Sequence, residues 1–225
     1  MTSSMLIFAN RRHPCPGSRK RISGPRDSLV RLSHGAAAAG LVIASCGNAS
    51  VRKGPDRFLV TASGSQLADL GGGDLSEVSL EGKHLEGPRP SIEADLHRLV
   101  FKARPKAQAV LHCHAQWATL MACLQVPQRD LDFIIEVPAY IGQHEYVPYL
   151  PPGSRELAEA VADALADPRV TVVQLTNHGQ VAVGATWQEA LIRLVYFERA
   201  CWMALQSQPL KRIPKNLGAS PTSPF

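Results

Sequence analysis

A chain of 225 residues, 45% hydrophobic and 19% charged, can bury one sizeable core but is short for several. It has no run of about 18 apolar residues, which excludes a transmembrane helix and argues against a membrane partner. The formal charge of +5 is no nucleic-acid footprint: Arg11, Arg12, Arg19, Lys20, Arg21 and Arg26 precede the first acidic residue, Asp27, leaving 18 basic against 19 acidic residues beyond them.

The apolar run Leu6-Ile7-Phe8-Ala9 is too short for a signal peptide. Residues 1–26 have the composition of a disordered basic extension, with an organellar transit peptide as the alternative. The five cysteines (Cys15, Cys46, Cys113, Cys123 and Cys201) are odd in number, scattered and without CxxC spacing. A disulfide framework is therefore not expected, and the simple reading is a reducing cytoplasm.

Residues 27–45 are expected to form the first helix. Asp27 can cap it, and Leu29, Leu32, Ala36, Ala39 and Val42 recur near helical spacing until Gly47-Asn48. Residues 49–53 and 57–61 read as strands around Gly54-Pro55-Asp56. Gly71-Gly72-Gly73 marks a loop, residues 75–80 alternate as a strand, and Glu81-Gly82-Lys83 reads as a hairpin turn. Ser91 is expected to cap a helix running to about Arg104, ended by Pro105. A strand over 109–113 and a helix over 115–124 follow, and residues 125–152, with five prolines, read as irregular. Residues 154–165 form an amphipathic helix stopped by Asp167-Pro168, and 170–175 and 180–183 are strands. Thr186, with Glu189 three residues on, opens a last long helix to about Gln206. The pattern predicts one α/β domain over 27–206, with a mostly antiparallel sheet, helices on its faces and a flexible tail over 207–225.

His112-Cys113-His114 is the sharpest local feature. On a strand, residues i and i+2 face the same side, about 6.5 Å apart, so two imidazoles can grip one cation. Asn177-His178-Gly179, between two strands, can supply a third ligand. Three histidines with no fourth protein ligand suit a catalytic metal with an open position. The plainer reading of HxH is one buried and one outward histidine. His13, His34, His84, His97 and His144 lack such partners and are expected to be surface or structural.

Taken in order, Cys46-Gly47-Asn48-Ala49-Ser50-Val51-Arg52, Thr61-Ala62-Ser63-Gly64, Pro90-Ser91-Ile92-Glu93, His112-Cys113-His114-Ala115, Pro148-Tyr149, Gly153-Ser154-Arg155-Glu156-Leu157 and Asn177-His178-Gly179 resemble the class II aldolase/adducin family, especially its fuculose-phosphate aldolase branch. The resemblance spans roughly residues 28–206. It implies an α/β/α sandwich, usually a ring-like homotetramer, with a zinc or other divalent ion on His112, His114 and His178. It implies that Glu93 ligates the resting metal and handles protons, and that Tyr149 acts at the aldehyde end across a subunit interface. Gly47, Asn48, Ser63, Gly64 and Ser91 match its phosphate-binding segments. Adducin-type scaffolds lack the intact histidine set, which this chain keeps.

On this reading the chain is expected to cleave a ketose 1-phosphate into dihydroxyacetone phosphate and a small aldehyde. A cation on the ketone oxygen would stabilise the carbanion, Glu93 would return a proton, and Tyr149 would serve the departing hydroxyl. Decarboxylation of a phosphorylated keto-acid is the alternative within the family; its epimerase branch typically has aspartate where Glu93 stands. Plainer uses exist: Glu93 as a helix-dipole partner, Tyr149 as a packed loop aromatic, and the small polar turns merely as turns. Ile92 departs from the aldolase pattern, which usually has a second serine there, and Ile92 cannot donate a hydrogen bond.

Overall fold

The computed structural model describes residues 24–124 and 131–207; the basic extension to residue 23, residues 125–130 and the tail from 208 lie outside them. Eight strands are formed: β1 (Gly47–Arg52), β2 (Arg57–Thr61), β3 (Leu75–Ser79), β4 (His84–Glu86), β5 (Ala109–Cys113), β6 (Gln143–Val147), β7 (Val170–Leu175) and β8 (Gln180–Gly184). They make one sheet in the order β4-β3-β2-β1-β5-β8-β7-β6. Every pairing is antiparallel except β6 with β7, so the sheet is mostly antiparallel, as expected.

Side-chain alternation sorts this sheet into two faces. One face carries Ala49, Val51, Leu59, Ala109, Leu111, Cys113 and Ala182, and packs on α1 (Pro25–Ala38), α3 (Gln116–Ala122) and α5 (Trp187–Gln206). The other carries Phe58, Val60, Val110, Val173, Val181 and Val183, and packs on α2 (Ala94–Ala103) and α4 (Arg155–Ala164). Helices therefore cover both sides, giving the α/β/α sandwich. By the same alternation Asn48, Ser50 and His112 point to the side of α2. Asn48 pairs directly with His112 across the two central strands.

Several boundaries differ from expectation. The first helix begins at Pro25, with Asp27 in its first turn rather than at its cap. It stops seven residues before the expected end because Gly40 takes φ +72°, with Gly40 N–H donating to Ala37 O and Leu41 N–H to Ala36 O. Buried Leu41 then packs back on the core, so the apolar run continued past the stop and hid it. The helix expected to be capped by Ser91 starts at Ala94, after Glu93 at its N-cap position; Ser91 Oγ accepts from Glu93 N–H in the turn before it. Within the segment read as irregular lie a π-helical turn, Val137–Ile141, and β6. As an edge strand β6 is mostly solvent-facing, so its sequence lacks apolar alternation.

Two helix starts are capped by side chains, Thr186 as expected, although Glu189 bonds one residue before the N-cap instead of closing the expected box. Ser154 accepts from Leu157 N–H, and Thr186 accepts from Glu189 N–H at 3.2 Å while Glu189 accepts from Ala185 N–H at 2.9 Å. Thr186→Ala should therefore lower the unfolding free energy by about 1 kcal/mol, read from urea titrations. An unchanged midpoint would show that α5 is held by packing alone.

Candidate metal centre

The site grows from the middle of the sheet. His112 stands on β5 and is fully buried; His114 follows the strand end, two residues on and on the same side. His178 sits in the tight connection between β7 and β8, where Asn177 takes φ +55°. Because β8 pairs with β5, this turn lies beside the end of β5.

The three rings meet in a pinwheel, with centroids 4.9–5.0 Å apart and interplanar angles of 69–80°. One nitrogen from each lies within 4.8 Å of the others. The Nε2 atoms of His112 and His114 are 3.1 Å apart, close to the roughly 3.3 Å edge of a tetrahedron with Zn–N of about 2.0–2.1 Å. His112 Nδ1 lies 2.9 Å from Gln180 O, a partner that can only accept. The ring proton is therefore on Nδ1, and Nε2 presents its lone pair to the site.

Two further observations fit a cation here. Glu93, 5% exposed, brings Oε2 to 3.3 Å from His112 Nε2 and Oε1 to 3.6 Å from His178 Nε2, yet Oε1 has no hydrogen-bond partner among the described residues. A buried carboxylate oxygen left so is costly unless it meets a cation or a proton. At Gly179, an added Cβ would fall 2.5 Å from the backbone oxygen of Cys113, 2.6 Å from His114 Cδ2 and 3.1 Å from His112 Cε1. Only glycine leaves the rings free to converge. The residues present thus fit a divalent ion, with Glu93 as the fourth donor.

The electrostatics agree. Burial and the neighbouring histidines push His114 and His178 down to about 4, so both are neutral ligands at ordinary pH. Burial alone would raise the Glu93 carboxyl, but His112, the hydrogen bond from Asn48, His178 and His97 outweigh it and hold it below the usual range.

Asn48 Nδ2 donates to Glu93 Oε2 at 2.8 Å, and Asn48 Oδ1 lies 2.5 Å from His97 Nε2. The opposite ring nitrogen of His97 lies 2.6 Å from Ser50 Oγ. His97 is thus structural, within expectation, and fully buried, but its link to Glu93 through Asn48 is not part of that expectation. The missed signal was its place four residues after Glu93, one helical turn along the same face.

Beside the histidines opens a cavity of about 480 Å³. Gly47, Asn48, Ser63, Gly64 and Ser91 all line it, together with Glu93, His114 and His178. The structure therefore brings the expected anion segments and the metal ligands to one place. Two of the backbone amides there are already engaged: Ser63 N–H donates to Arg89 O and Ser91 N–H to Thr61 O. Ser63 and Ser91 would meet an anion through their hydroxyls, beside the open Cα face of Gly64. Ile92, 60% exposed, adds an apolar wall. Tyr149 is not brought in: it is 56% exposed and outside the cavity lining. No helix of the described residues is long and apolar enough to cross a membrane.

This fold with this histidine cluster is that of a lyase-type enzyme family. Residues 27–205 match the Class II Aldolase and Adducin N-terminal domain, and the chain belongs to that family. It is 33% identical over 172 residues to the 3-oxo-tetronate 4-phosphate decarboxylase of Escherichia coli K12, covering 73% of this chain and 78% of that one. It is 35% identical over 154 residues to the L-fuculose phosphate aldolase of Escherichia coli O6:H1, covering 68% and 69%. Among solved structures, YgbL of Klebsiella pneumoniae superposes with a TM-score of 0.77 at 30% identity, over 84% of this chain and 91% of that one.

Two measurements test the metal geometry. Metal analysis should find about one divalent ion per wild-type chain and none in His112→Ala. Gly179→Ala should hold the ion roughly 10–100-fold more weakly, since its methyl meets the Cys113 carbonyl and two of the histidine rings. Undiminished metal in both variants would remove the three histidines from the ligand set. Stability of the metal-free protein should also depend on pH. His97 is pushed down to about 3, chiefly by burial, and His114 and His178 to about 4. All three are neutral in the folded chain where an unfolded histidine, near 6.5, takes a proton. Their stabilising contribution is complete above about pH 6.5 and is lost as pH falls toward 4 and 3. Urea midpoints should drop over that window; flat midpoints would mean the rings accept protons in place.

Proposed function

We propose that the chain is a divalent-metal lyase that removes carbon dioxide from a phosphorylated 3-oxo acid. The observation that carries this reading is the acid/base content of the cavity. Glu93 is the one carboxylate lining it among the described residues, and neither tyrosine nor lysine joins it. Decarboxylation needs one proton delivered to one carbon. Aldol cleavage needs in addition a group that takes the proton from the hydroxyl that becomes the aldehyde. The similarity to 3-oxo-tetronate 4-phosphate decarboxylases supports the same choice over the cleavage expected from the motifs.

His112, His114 and His178 would hold a divalent cation, zinc by the donor set, and when bound it would supply Lewis acidity at the ketone oxygen. Ser63, Gly64, Ser91 and Gly47 hold the phosphate, with the second amide hydrogen of Asn48 beside them. The bond between the carboxylate and its neighbouring carbon breaks, carbon dioxide leaves, and the electron pair stays on the carbon next to the ketone. Glu93, tied at Oε2 by Asn48, turns Oε1 to that carbon and passes it a proton taken from solvent. Where the acid carries a hydroxyl on the carbon between carboxylate and ketone, the products are carbon dioxide and a hydroxyketone phosphate.

Aldol cleavage of a ketose 1-phosphate is the second reading, favoured by the exposed Tyr149 and by the similarity to L-fuculose phosphate aldolases. In a ring-like homotetramer Tyr149 would complete a neighbouring subunit's cavity.

A panel of 3-oxo acid phosphates and ketose 1-phosphates separates the two. The expected result is stoichiometric carbon dioxide from an acid, with Glu93→Gln slowing turnover roughly 10²-fold at unchanged fold. Aldehyde release from a ketose phosphate, with no carbon dioxide from any acid, would put aldol cleavage in its place. A Glu93→Gln enzyme at full rate would reduce the carboxylate to a helix-dipole partner.

A further inference from the structure

His97 and Ser50 lie behind the cavity wall, touch no open volume, and have no part in the chemistry above. Both are completely buried, on α2 and β1 respectively. A buried histidine of this kind is ordinarily explained as a core side chain that has found hydrogen bonds. The direction of the bonds says more.

The direction follows from what each group can do. A carboxylate oxygen such as Glu93 Oε2 accepts. The atom of Asn48 that faces Glu93 Oε2 at 2.8 Å must therefore be Nδ2, and its Oδ1 faces His97. An amide oxygen also only accepts, so His97 Nε2, 2.5 Å away, must carry the ring proton. A neutral imidazole then has a lone pair on Nδ1, and Ser50, 2.6 Å away, must donate its hydroxyl proton to it. Every link points the same way, from Ser50 through His97 and Asn48 to Glu93 Oε2.

The backbone makes the alignment possible. Asn48 and Ser50 are two apart on β1 and face the same side, toward α2. Glu93 and His97 are four apart at the start of α2 and share a helix face. One imidazole bridges the two β1 side chains, one ring nitrogen to each.

We infer that His97 is a positioning residue: its Nε2–H locks the amide of Asn48 so that Nδ2 always faces Glu93 Oε2, leaving Oε1 as the sole oxygen that exchanges protons in the cavity. Without this lock the Asn48 amide can turn over, set its carbonyl against the carboxylate and push Glu93 out of place. Ser50 supports the lock by holding the ring in the required tautomer. The effect on turnover rests on the proposed reaction; the tautomer does not.

The tautomer is read first, without substrate. In long-range proton–nitrogen correlation spectra of the ¹⁵N-histidine-labelled protein as purified, with His97 assigned by its loss in His97→Gln, the ring should be the neutral Nε2–H form. An Nδ1–H or doubly protonated ring overturns the inference. Two variants then separate a lock from a packing role. Glutamine reaches far enough to place an amide N–H where Nε2–H stands. Asparagine reaches only the Nδ1 position and leaves Asn48 unheld. The readout is exchange of the carbon-bound proton of dihydroxyacetone phosphate with deuterium, a step asked of Glu93 in both lyase readings. His97→Gln should exchange within about threefold of wild type, whereas His97→Asn should fall roughly 10–100-fold in maximal rate at unchanged fold. Equal rates in the two variants, whether both high or both low, overturn the lock. Absence of exchange in the wild type counts against the proposed reaction, and the tautomer alone then decides the inference.

Discussion

A carboxylate that is almost wholly out of water is the constraint around which this molecule is organised. Glu93 loses its hydration at the N-cap position of α2, at a cost of several kcal/mol unless partners replace the water. One oxygen is served by Asn48, and the other faces His178 Nε2 at 3.6 Å. That asymmetry demands rigid surroundings, and the surroundings are the two central strands. β1 supplies Asn48, β5 supplies His112, and the antiparallel register sets them opposite each other.

The two-sided packing serves the same end. A sheet covered on one side only would expose the face from which Asn48, Ser50 and His112 project. Here α2 and α4 seal that face with Phe101, Leu157 and Val161, while α1, α3 and α5 bury the reverse. The opening is confined to the strand end where Gly47, Ser63 and Ser91 gather. Small residues do so because the backbone must come close: at Gly47 a Cβ would stand 2.7 Å from His112 O.

Much of this was legible in the sequence for identifiable reasons. β2, β5 and β7 are buried runs bounded by turns, and their limits follow the pattern to the residue. The convergence of the three histidines could be read because HxH on a strand has a fixed geometry, and that of the small polar turns because the motifs occur in family order. What escaped lies where neighbours decide. β6 gains its strand form from pairing with β7, not from its own alternation. Gly40 ends α1 through a left-handed turn inside a run that remains apolar. His97 reads as an ordinary histidine because Asn48 and Ser50, its partners, are 49 and 47 residues away.

The split origin of the ligand cluster has a consequence for how the chain comes to hold an ion. During synthesis, the segment bearing His112 and His114 emerges more than sixty residues before the turn that bears His178, and chains fold broadly from the N-terminus. Until β8 zips onto β5, the nascent chain offers a two-histidine half-site, a grip far weaker than the finished one. On the proposed metal reading, ion capture would therefore come after closure of the sheet, unlike in small zinc modules, where the ion itself drives folding. In a cell, the acquisition of metal becomes a certificate that the last strand is in place.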